Sequence, residues 1–259
     1  MIDCHVHIER GPYTREWINE FINQAKSREI TDLYLLEHTH RFREFQECYE
    51  EVAHYSEYQN DWYKRRSGVL LQSYINLVKN YKEKPHHGIN IKWGLEVCYL
   101  PGIEKIIEQL KKNNTFDFYT GSIHWLNGWG FDHKKEFWKG EIVNDVYKQY
   151  FDTEVRLIQS ELFDYIAHPD SIKCFGHYPT YELDEEYEKV IHVAKSTTIQ
   201  FEQSCGLYNN YGHNKIGLEE NFLKKLKENG IQIITASDAH RPEDVGRNIE
   251  KALALINEA

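Results

Sequence analysis

Residues 1–7 read MIDCHVH, and the apolar and β-branched run at about 1–6 predicts a strand that ends in two histidines. Side chains alternate along a strand with a period of two, so His5 and His7 point to the same side, as two ligands of one metal ion must. Asp238 and His240 repeat this spacing at the end of the last predicted strand. The two ends of the chain therefore predict a shared metal site.

Between these ends, short apolar or β-branched runs alternate with stretches of helical character. This alternation predicts an α/β fold with a parallel sheet, and seven such units commonly close into a barrel. No Gly/Ser linker or internal repeat divides the chain, so we predict a single domain over 1–259. The predicted strands lie at about 1–6, 31–36, 90–97, 116–123, 163–167, 197–202 and 231–237.

Local signals predict several helix ends. A helix from about 15 to 28 follows Thr14, whose hydroxyl can cap the first turn. Gly230 ends the helical run 218–229 in a left-handed conformation. Pro242 suits the first turn of the last helix.

Two long connections between predicted strands have fewer sequence patterns that indicate secondary structure. The interval 38–89 is too long for one crossover, and we predict two helices there, one from Trp62 to Lys82, with the charged first half as a flap. His86 and His87 are assigned to a turn at the opposite barrel face. Residues 127–140, rich in Gly, Trp and Phe, are interpreted as an active-site loop.

Bulk properties narrow the class of protein. A hydrophobic content of 41% in 259 residues is ample for a core, and a formal net charge of −10 disfavours a nucleic-acid partner. No apolar run is long enough to span a membrane and no signal-peptide pattern follows Met1, which predicts a cytoplasmic protein. The five cysteines form no CxxC pair and are interpreted as reduced thiols in or near the core.

Metal-type ligands follow nearly every predicted strand. The carboxyl ends of parallel strands face one shared crevice, so these side chains are expected to converge. Imidazole and carboxylate together suit zinc, manganese or iron. The residues are His5, His7, Glu37, His38, His40, Glu96, His124, His168, Glu202, Asp238 and His240.

Six segments stand in the order seen in the polymerase and histidinol phosphatase (PHP) superfamily, which this chain resembles over nearly its whole length. They are 3–7 (DCHVH), 37–38 (EH), 94–96 (GLE), 121–124 (GSIH), 167–170 (AHPD) and 237–240 (SDAH). The flanks 122–132 and 237–246 resemble the histidinol-phosphate phosphatase branch. The resemblance implies a distorted seven-stranded (β/α)7 barrel with two to three divalent metal ions.

The resemblance also implies the ligands. They are His5, His7, Glu96 and Asp238 for the first ion, Glu96, His124 and His168 for the second, and His38 and His240 for the third. Relatives usually supply a further Asp or His at the position of Tyr13. Glu9 is our replacement candidate, with Glu16 as the alternative.

Such a cluster suits phosphoryl transfer, because a hydroxide bridging two ions can attack phosphorus while the ions neutralise developing charge. Asp238 or a nearby histidine, His240 or His168, is expected to act in proton transfer. The resemblance implies that Lys173 contacts the substrate phosphate. A second basic residue of the family pattern is replaced by Tyr208, and the loop residues Arg10, Arg41, Arg43 and Lys215 are candidates to compensate, with Arg41 assigned to substrate binding.

Three functions remain open at this point. The leading hypothesis is hydrolysis of a small phosphomonoester, with L-histidinol phosphate as the first candidate. The second keeps the metal site and cleaves another small phosphoester or a nucleotide. The third is a non-catalytic scaffold stabilised by metal, which the intact ligands at almost every strand end argue against. No oligomeric state follows from the sequence.

Overall fold

A computed structural model describes residues 1–83, 88–113 and 116–259 of the chain. Within these ranges it contains nine strands, of which seven form one parallel sheet. The predicted turn at His86 and His87 lies outside the described residues. The strands are β1 (Ile2–His7), β2 (Asp32–Leu36), β3 (Asn90–Cys98), β4 (Phe118–Ser122), β5 (Trp125–Leu126), β6 (Trp129–Gly130), β7 (Tyr165–Ile166), β8 (Gln200–Ser204) and β9 (Ile233–Ala236).

The large sheet closes almost completely into a barrel. Its order is β1-β2-β3-β4-β7-β8-β9, and all neighbours are parallel. Beyond the end of β9, Ala239 pairs with Val6, and the amide of His7 donates to the Ala239 carbonyl at 2.8 Å. The buried carboxylate of Asp3 accepts from the amide and hydroxyl of Ser237 and from the amide of Gly246. The predicted seven-stranded barrel is therefore confirmed.

Helices cover the outside of the barrel. Within the described part of the chain, none is long and apolar enough to cross a bilayer. They are α1 (Arg15–Ser27), α2 (Glu50–His54), α3 (Glu57–Arg66), α4 (Leu71–Glu83), α5 (Glu104–Asn113), α6 (Val143–Gln159), α7 (Asp184–Ala194), α8 (Gly206–Tyr211), α9 (Glu220–Glu228) and α10 (Ile249–Glu258).

Side chains alternate between two apolar layers. Leu33 and Leu35 of β2 face the helices, whereas Tyr34 and Leu36 face the barrel interior, in the order that strand geometry requires. The interior layer is a separate cluster on the floor of the barrel. It consists of Cys4, Tyr34, Leu36, Phe118, Tyr165, Ile234 and Ala236.

Most predicted boundaries agree with the structure, including the Thr14 cap, whose hydroxyl accepts from the amide of Trp17. Two do not. The predicted helix 62–82 is divided, because Gly68 adopts a positive φ of 106° between α3 and α4. Pro242 begins a separate 3-10 turn, and α10 starts only at Ile249, after Asn248 in a left-handed conformation.

Candidate metal centre

Glu96 lies at the centre of a cluster of five histidines. It is fully buried at the end of β3, and each of its two oxygens faces a different group of imidazoles. Oε2 lies 3.1 Å from His5 Nε2, 3.1 Å from His7 Nε2 and 3.0 Å from His38 Nδ1, whereas Oε1 lies 3.0 Å from His124 Nε2 and 3.2 Å from His168 Nε2. The carboxylate therefore has the geometry of a bridge between two ions.

A β-bulge orients side chains of β1 toward this cluster. The register of β1 against β2 shifts between Asp3 and Val6. Consecutive residues of a regular strand point to opposite faces, but here Cys4 Sγ and His5 Nδ1 both approach Glu202, at 3.8 and 2.9 Å. His5 and His7 share one side, as predicted, and their Nε2 atoms lie 2.9 Å apart.

The donor atoms fit divalent cations. Two imidazole nitrogens that face each other at 2.9 Å need either a proton or a cation between them, and a fully buried carboxylate among five imidazoles needs positive charge. Four groups of side chains have potential ligand atoms within 4.8 Å of one another. They are His5, His7 and Asp238; His5, Glu96 and His168; His7, Glu9 and His240; and His38, Glu96, Cys98 and His124.

Three of the four ligands predicted for the first ion, His5, His7 and Asp238, lie in one group. His124 and His168, both predicted for the second ion, lie in two separate groups that share Glu96. His7, rather than His38, lies with His240 and Glu9 in the group that corresponds to the third ion. Cys98 was not predicted near a ligand, yet its sulfur lies 3.7 Å from His38 Nδ1. Burial and the nearby Glu96 raise the pKa of the Cys98 thiol, so the thiol is neutral where no ion is bound.

Carboxylates behind the imidazoles orient them. Glu202 accepts from His5 Nδ1 at 2.9 Å and from the backbone amide of His168 at 2.9 Å. Asp132 Oδ2 lies 2.7 Å from His124 Nδ1. Such contacts fix the tautomer and leave the Nε2 lone pair free for an ion. The sequence placed Glu202 at a strand end but did not assign it this supporting role.

Two of the predicted ligands have strained backbones. His168 and Asp238 have positive φ values of 31° and 54°, which residues other than glycine rarely adopt. The Glu202 bond to the His168 amide holds the first, and Asn210 holds the second by donating to the Asp238 carbonyl at 3.0 Å. A Cβ on Gly206 would approach Asp238 Oδ2 to 2.1 Å, so glycine is required there. Strain of this kind is typical of functional sites.

The same contacts shift pKa values strongly. Burial opposes protonation of His124, but Asp132 and Glu96 outweigh it and raise the His124 pKa to about 10. Burial likewise opposes charge on His240, whereas Asp238 and Glu9 raise its pKa to about 9. Because ligands must lose these protons when they bind an ion, metal affinity is expected to increase with pH.

A cavity of about 500 Å³ opens over one side of the cluster. His5, His7 and Glu96 are fully buried beneath it. The other predicted ligands line it, so a molecule in the cavity meets them directly. They are Glu9, His38, His124, His168, Asp238 and His240.

The predicted phosphate contact by Lys173 is not supported by the structure. Its ammonium is buried, donates to Asp170 Oδ2 and the Gly217 carbonyl at 2.8 Å each, and lies 3.3 Å from Glu219 Oε1. Lys173 does not line the cavity. Its position one turn after the AHPD segment suggested a site residue, but its burial makes it a structural ion-pair partner.

Arg41 does not line the cavity either. Its Nε lies 3.1 Å from Glu37 Oε2, and its Nη1 lies 3.7 Å from Glu9 Oε2. Tyr13 is half-buried and lies next to Glu37 and Arg41. This group packs behind Glu9, so Arg41 supports a predicted ligand and is not placed to bind substrate.

The predicted loop 127–140 contributes both to the core and to the site. Phe131 and Trp138 are buried in the core, whereas Asp132 and His133 line the cavity. The facing wall of the cavity is formed by α3, which was not predicted to lie at the site. Three residues of α3 line the cavity, namely Tyr58, Trp62 and Arg66.

The PHP domain family model matches residues 3–204 of the chain. Two curated relatives, each described as "Probable histidinol-phosphatase", also match. The protein of Clostridium acetobutylicum is 30% identical over 211 residues, which cover 74% of this chain and 82% of that protein. The protein of Deinococcus radiodurans is 29% identical over 196 residues, which cover 73% and 72%.

A solved structure has the same fold. It is the crystal structure of histidinol phosphate phosphatase from Lactococcus lactis, complexed with Zn, L-histidinol and phosphate. It superposes with a TM-score of 0.74 at 17% identity and covers 99% of this chain and 92% of that chain. The superposition includes β9 and the segment with Asp238 and His240, which lie beyond the residues that the family model matches.

Proposed function

The chain belongs to the PHP domain family, and from that membership and the geometry of the metal centre we propose that it hydrolyses L-histidinol phosphate to L-histidinol and inorganic phosphate. The observation that carries the proposal is Glu96, whose two oxygens face two groups of imidazoles beneath an open cavity. The curated relatives described as probable histidinol-phosphatases support the choice of substrate.

The residues present would hold two to three divalent ions, of zinc, manganese or iron. Glu96 would serve both of the first two ions. His5, His7 and Asp238 would complete the first group, and His124 and His168, which lie 3.0 and 3.2 Å from Glu96 Oε1, would complete the second. When bound, the ions supply a water of lowered pKa and positive charge against the phosphoryl oxygens. The zinc in the Lactococcus lactis structure makes zinc the first metal to test.

Glu9 completes the proposed third group in place of Tyr13. Its Oε1 lies 3.0 Å from His240 Nδ1, and His7 lies in the same group. The Glu9 carboxylate also lies 3.7 Å from Arg41 Nη1 and 3.8 Å from Arg66 Nη1, so two guanidinium groups compete with an ion for its charge. We therefore propose that the third ion is held more weakly than the first two.

Residues on the cavity wall perform the proton transfer. Asp238 Oδ1 lies 3.4 Å from His240 Nε2, and both side chains line the cavity beside His168. The proton that the attacking water releases can pass through this group to the leaving alkoxide in the cavity, which the fully buried ligands cannot reach. We assign proton transfer to Asp238 and His240, with His168 positioning the phosphoryl group.

The cavity suits a compact organic group with positive charge. Its volume of about 500 Å³ is in the range of small-molecule sites. Trp62, Trp125 and His133 form an aromatic wall with ring centroids 4.6–5.9 Å apart, and Asp132 adds negative charge. An imidazole ring and an ammonium group would both be accommodated there.

The function is tested by phosphate release from a panel of small phosphomonoesters with metal-loaded protein. We expect the highest kcat/KM on L-histidinol phosphate, well above that on a neutral phosphoester of similar size. Equal efficiency on all esters would overturn the substrate assignment and leave the phosphatase chemistry standing. Phosphate release that does not depend on metal, or no release at all, would overturn both.

Asp238→Asn separates the metal chemistry from folding. The amide keeps one ligand oxygen but loses the charge, so we expect turnover to fall by at least about a thousandfold, in line with the loss of roughly 4 kcal/mol of transition-state stabilisation. Circular dichroism and the unfolding midpoint of the metal-free protein should remain close to wild type. The exposed Asp61→Asn is the matched control. Near-normal turnover in Asp238→Asn would contradict the assignment.

A further inference from the structure

A cation beside the metal ions would strengthen binding of a phosphate dianion in the cavity, but the two residues assigned to substrate binding from the sequence, Lys173 and Arg41, are engaged elsewhere. Lys173 is buried among carboxylates, and Arg41 lies behind Glu9. In the described part of the chain, the lysine and arginine side chains that line the cavity are Arg10 and Arg66. The phosphate-binding cation must come from one of these two positions.

Arg66 belongs to a continuous face of α3. Tyr58, Trp62 and Arg66 are spaced four residues apart, so they lie on one side of the helix, and all three line the cavity. This face combines two aromatic rings with a guanidinium at the C-terminal end. A substrate with an organic part and a phosphate can place the organic part against the rings and the phosphate against the guanidinium.

Buried hydrogen bonds fix α3 against the active-site loop. The side chain of Gln59 is fully buried, donates to the carbonyls of Val52 and Gly128 at 3.0 and 2.7 Å, and accepts from the amide of Gly130 at 3.0 Å. Ser56 caps the helix by accepting from the amide of Gln59. The face that carries Arg66 is therefore held in one orientation relative to the hairpin of β5 and β6.

The guanidinium of Arg66 lies next to the proposed third ligand group. Its Nη1 is 3.8 Å from Glu9 Oε1, the same oxygen that lies 3.0 Å from His240 Nδ1. An ion at this group would engage the charge of Glu9 and leave the guanidinium free to donate. A guanidinium presents its N–H groups as a planar fork that matches two phosphoryl oxygens.

We propose that Arg66 binds the phosphoryl group of the substrate, so that the phosphate is held between the metal centre and the end of α3. The inference rests on the proposed phosphatase function. Arg10 also lines the cavity, but it follows Glu9 directly in the sequence and, unlike Arg66, does not lie on a helix that is held in one orientation. Arg66 is thus a specificity-determining residue for phosphate, supplied by a helix outside the ligand-bearing strand ends.

The test uses the metal-loaded enzyme and its two products as separate probes. Binding of inorganic phosphate and of L-histidinol is measured by calorimetry and as product inhibition for wild type, Arg66→Ala, Arg66→Lys and the exposed neighbour Arg65→Ala. We expect Arg66→Ala to weaken inorganic phosphate roughly ten- to hundredfold, because it removes hydrogen bonds to a charged group. L-histidinol binding should stay within about threefold, Arg66→Lys should be intermediate, and Arg65→Ala should match wild type.

Metal content is measured on the same samples, so that loss of phosphate binding can be distinguished from loss of an ion. Unchanged phosphate binding in Arg66→Ala would overturn the inference. Loss of an ion together with phosphate affinity would also overturn it, because Arg66 would then act by holding Glu9. If wild type hydrolyses no phosphomonoester, the proposed function fails; if wild type hydrolyses L-histidinol phosphate and Arg66→Ala does so equally well, only the role of Arg66 fails.

Discussion

Glu202→Gln tests whether carboxylates behind the imidazoles control metal binding. Glu202 lies on β8, is almost fully buried, and accepts two hydrogen bonds at 2.9 Å, from His5 Nδ1 and from the amide of His168. Glutamine has the same shape but only one oxygen, so its amide nitrogen must face one of these two donors. If the nitrogen faces the His168 amide, two donors meet; if it faces His5, it favours the tautomer with a proton on Nε2, which blocks the ion.

The expected loss follows from similar supporting contacts at other metal sites. Replacing such a partner typically costs ten- to hundredfold in metal affinity or activity, or about 1.4–2.8 kcal/mol. We therefore expect Glu202→Gln to lower the affinity for the first two ions by roughly that factor, with kcat falling in parallel at limiting metal. Chelator-competition titration measures the affinity, and phosphate release measures the rate.

Two further variants make the result decisive. Glu202→Asp keeps the charge and should recover part of the affinity, and the exposed Glu228→Gln should equal wild type. Metal affinity of Glu202→Gln within about threefold of wild type would refute the argument that Glu202 sets the His5 tautomer. An equal loss in Glu228→Gln would show that the titration reports a general effect of charge.

Three other changes have defined outcomes. Lys173→Met should lower the free energy of unfolding by roughly 3–5 kcal/mol in urea, because it leaves Asp170 buried without its cation, and KM should not change selectively; the exposed Lys224→Met is the control. Glu154 is buried, and burial together with Asp170 raises its pKa well above the ordinary value, so the folded state retains its proton. The contribution of Glu154 to wild-type stability therefore decreases as pH rises above about 5, where the unfolded chain loses this proton. Glu154→Gln should therefore become increasingly more stable than wild type from pH 5 upward in metal-free urea unfolding, and a difference that does not vary with pH would contradict this. After mild chelation, Glu9→Gln should have a lower occupancy of a single ion, while the other ions are retained. Elemental analysis that shows no change, or the loss of all ions together, would contradict the assignment.

The barrel and the metal centre could be predicted because both depend on periodic local patterns. Apolar runs locate the strands, and parallel strands bring their carboxyl ends together whatever the length of the connections. His5 and His7 therefore converge with Asp238 and His240, as predicted from a spacing of two residues.

The cavity walls could not be predicted, because their residues lie in connections whose paths depend on tertiary contacts. Arg66 is the last residue of α3, whose start at Glu57 was not predicted and whose buried Gln59 bonds to the loop that contains Gly128. Lys173 was misjudged for a related reason. A lysine next to a ligand segment has the same sequence signal whether its ammonium faces the cavity or, as here, the buried Asp170.

Asp3 joins the first strand to the segment that follows the last strand. This contact affects the order in which the protein folds during its synthesis. Its carboxylate binds Ser237 and Gly246, residues more than 230 positions later. Contacts of such high sequence separation form slowly, and during synthesis they cannot form until the C-terminal residues have left the ribosome. His5 and His7 are made first, yet their partner Asp238 arrives with that late segment. The group of His5, His7 and Asp238 is thus complete only after the segment that carries Asp238 has been made and has joined the barrel.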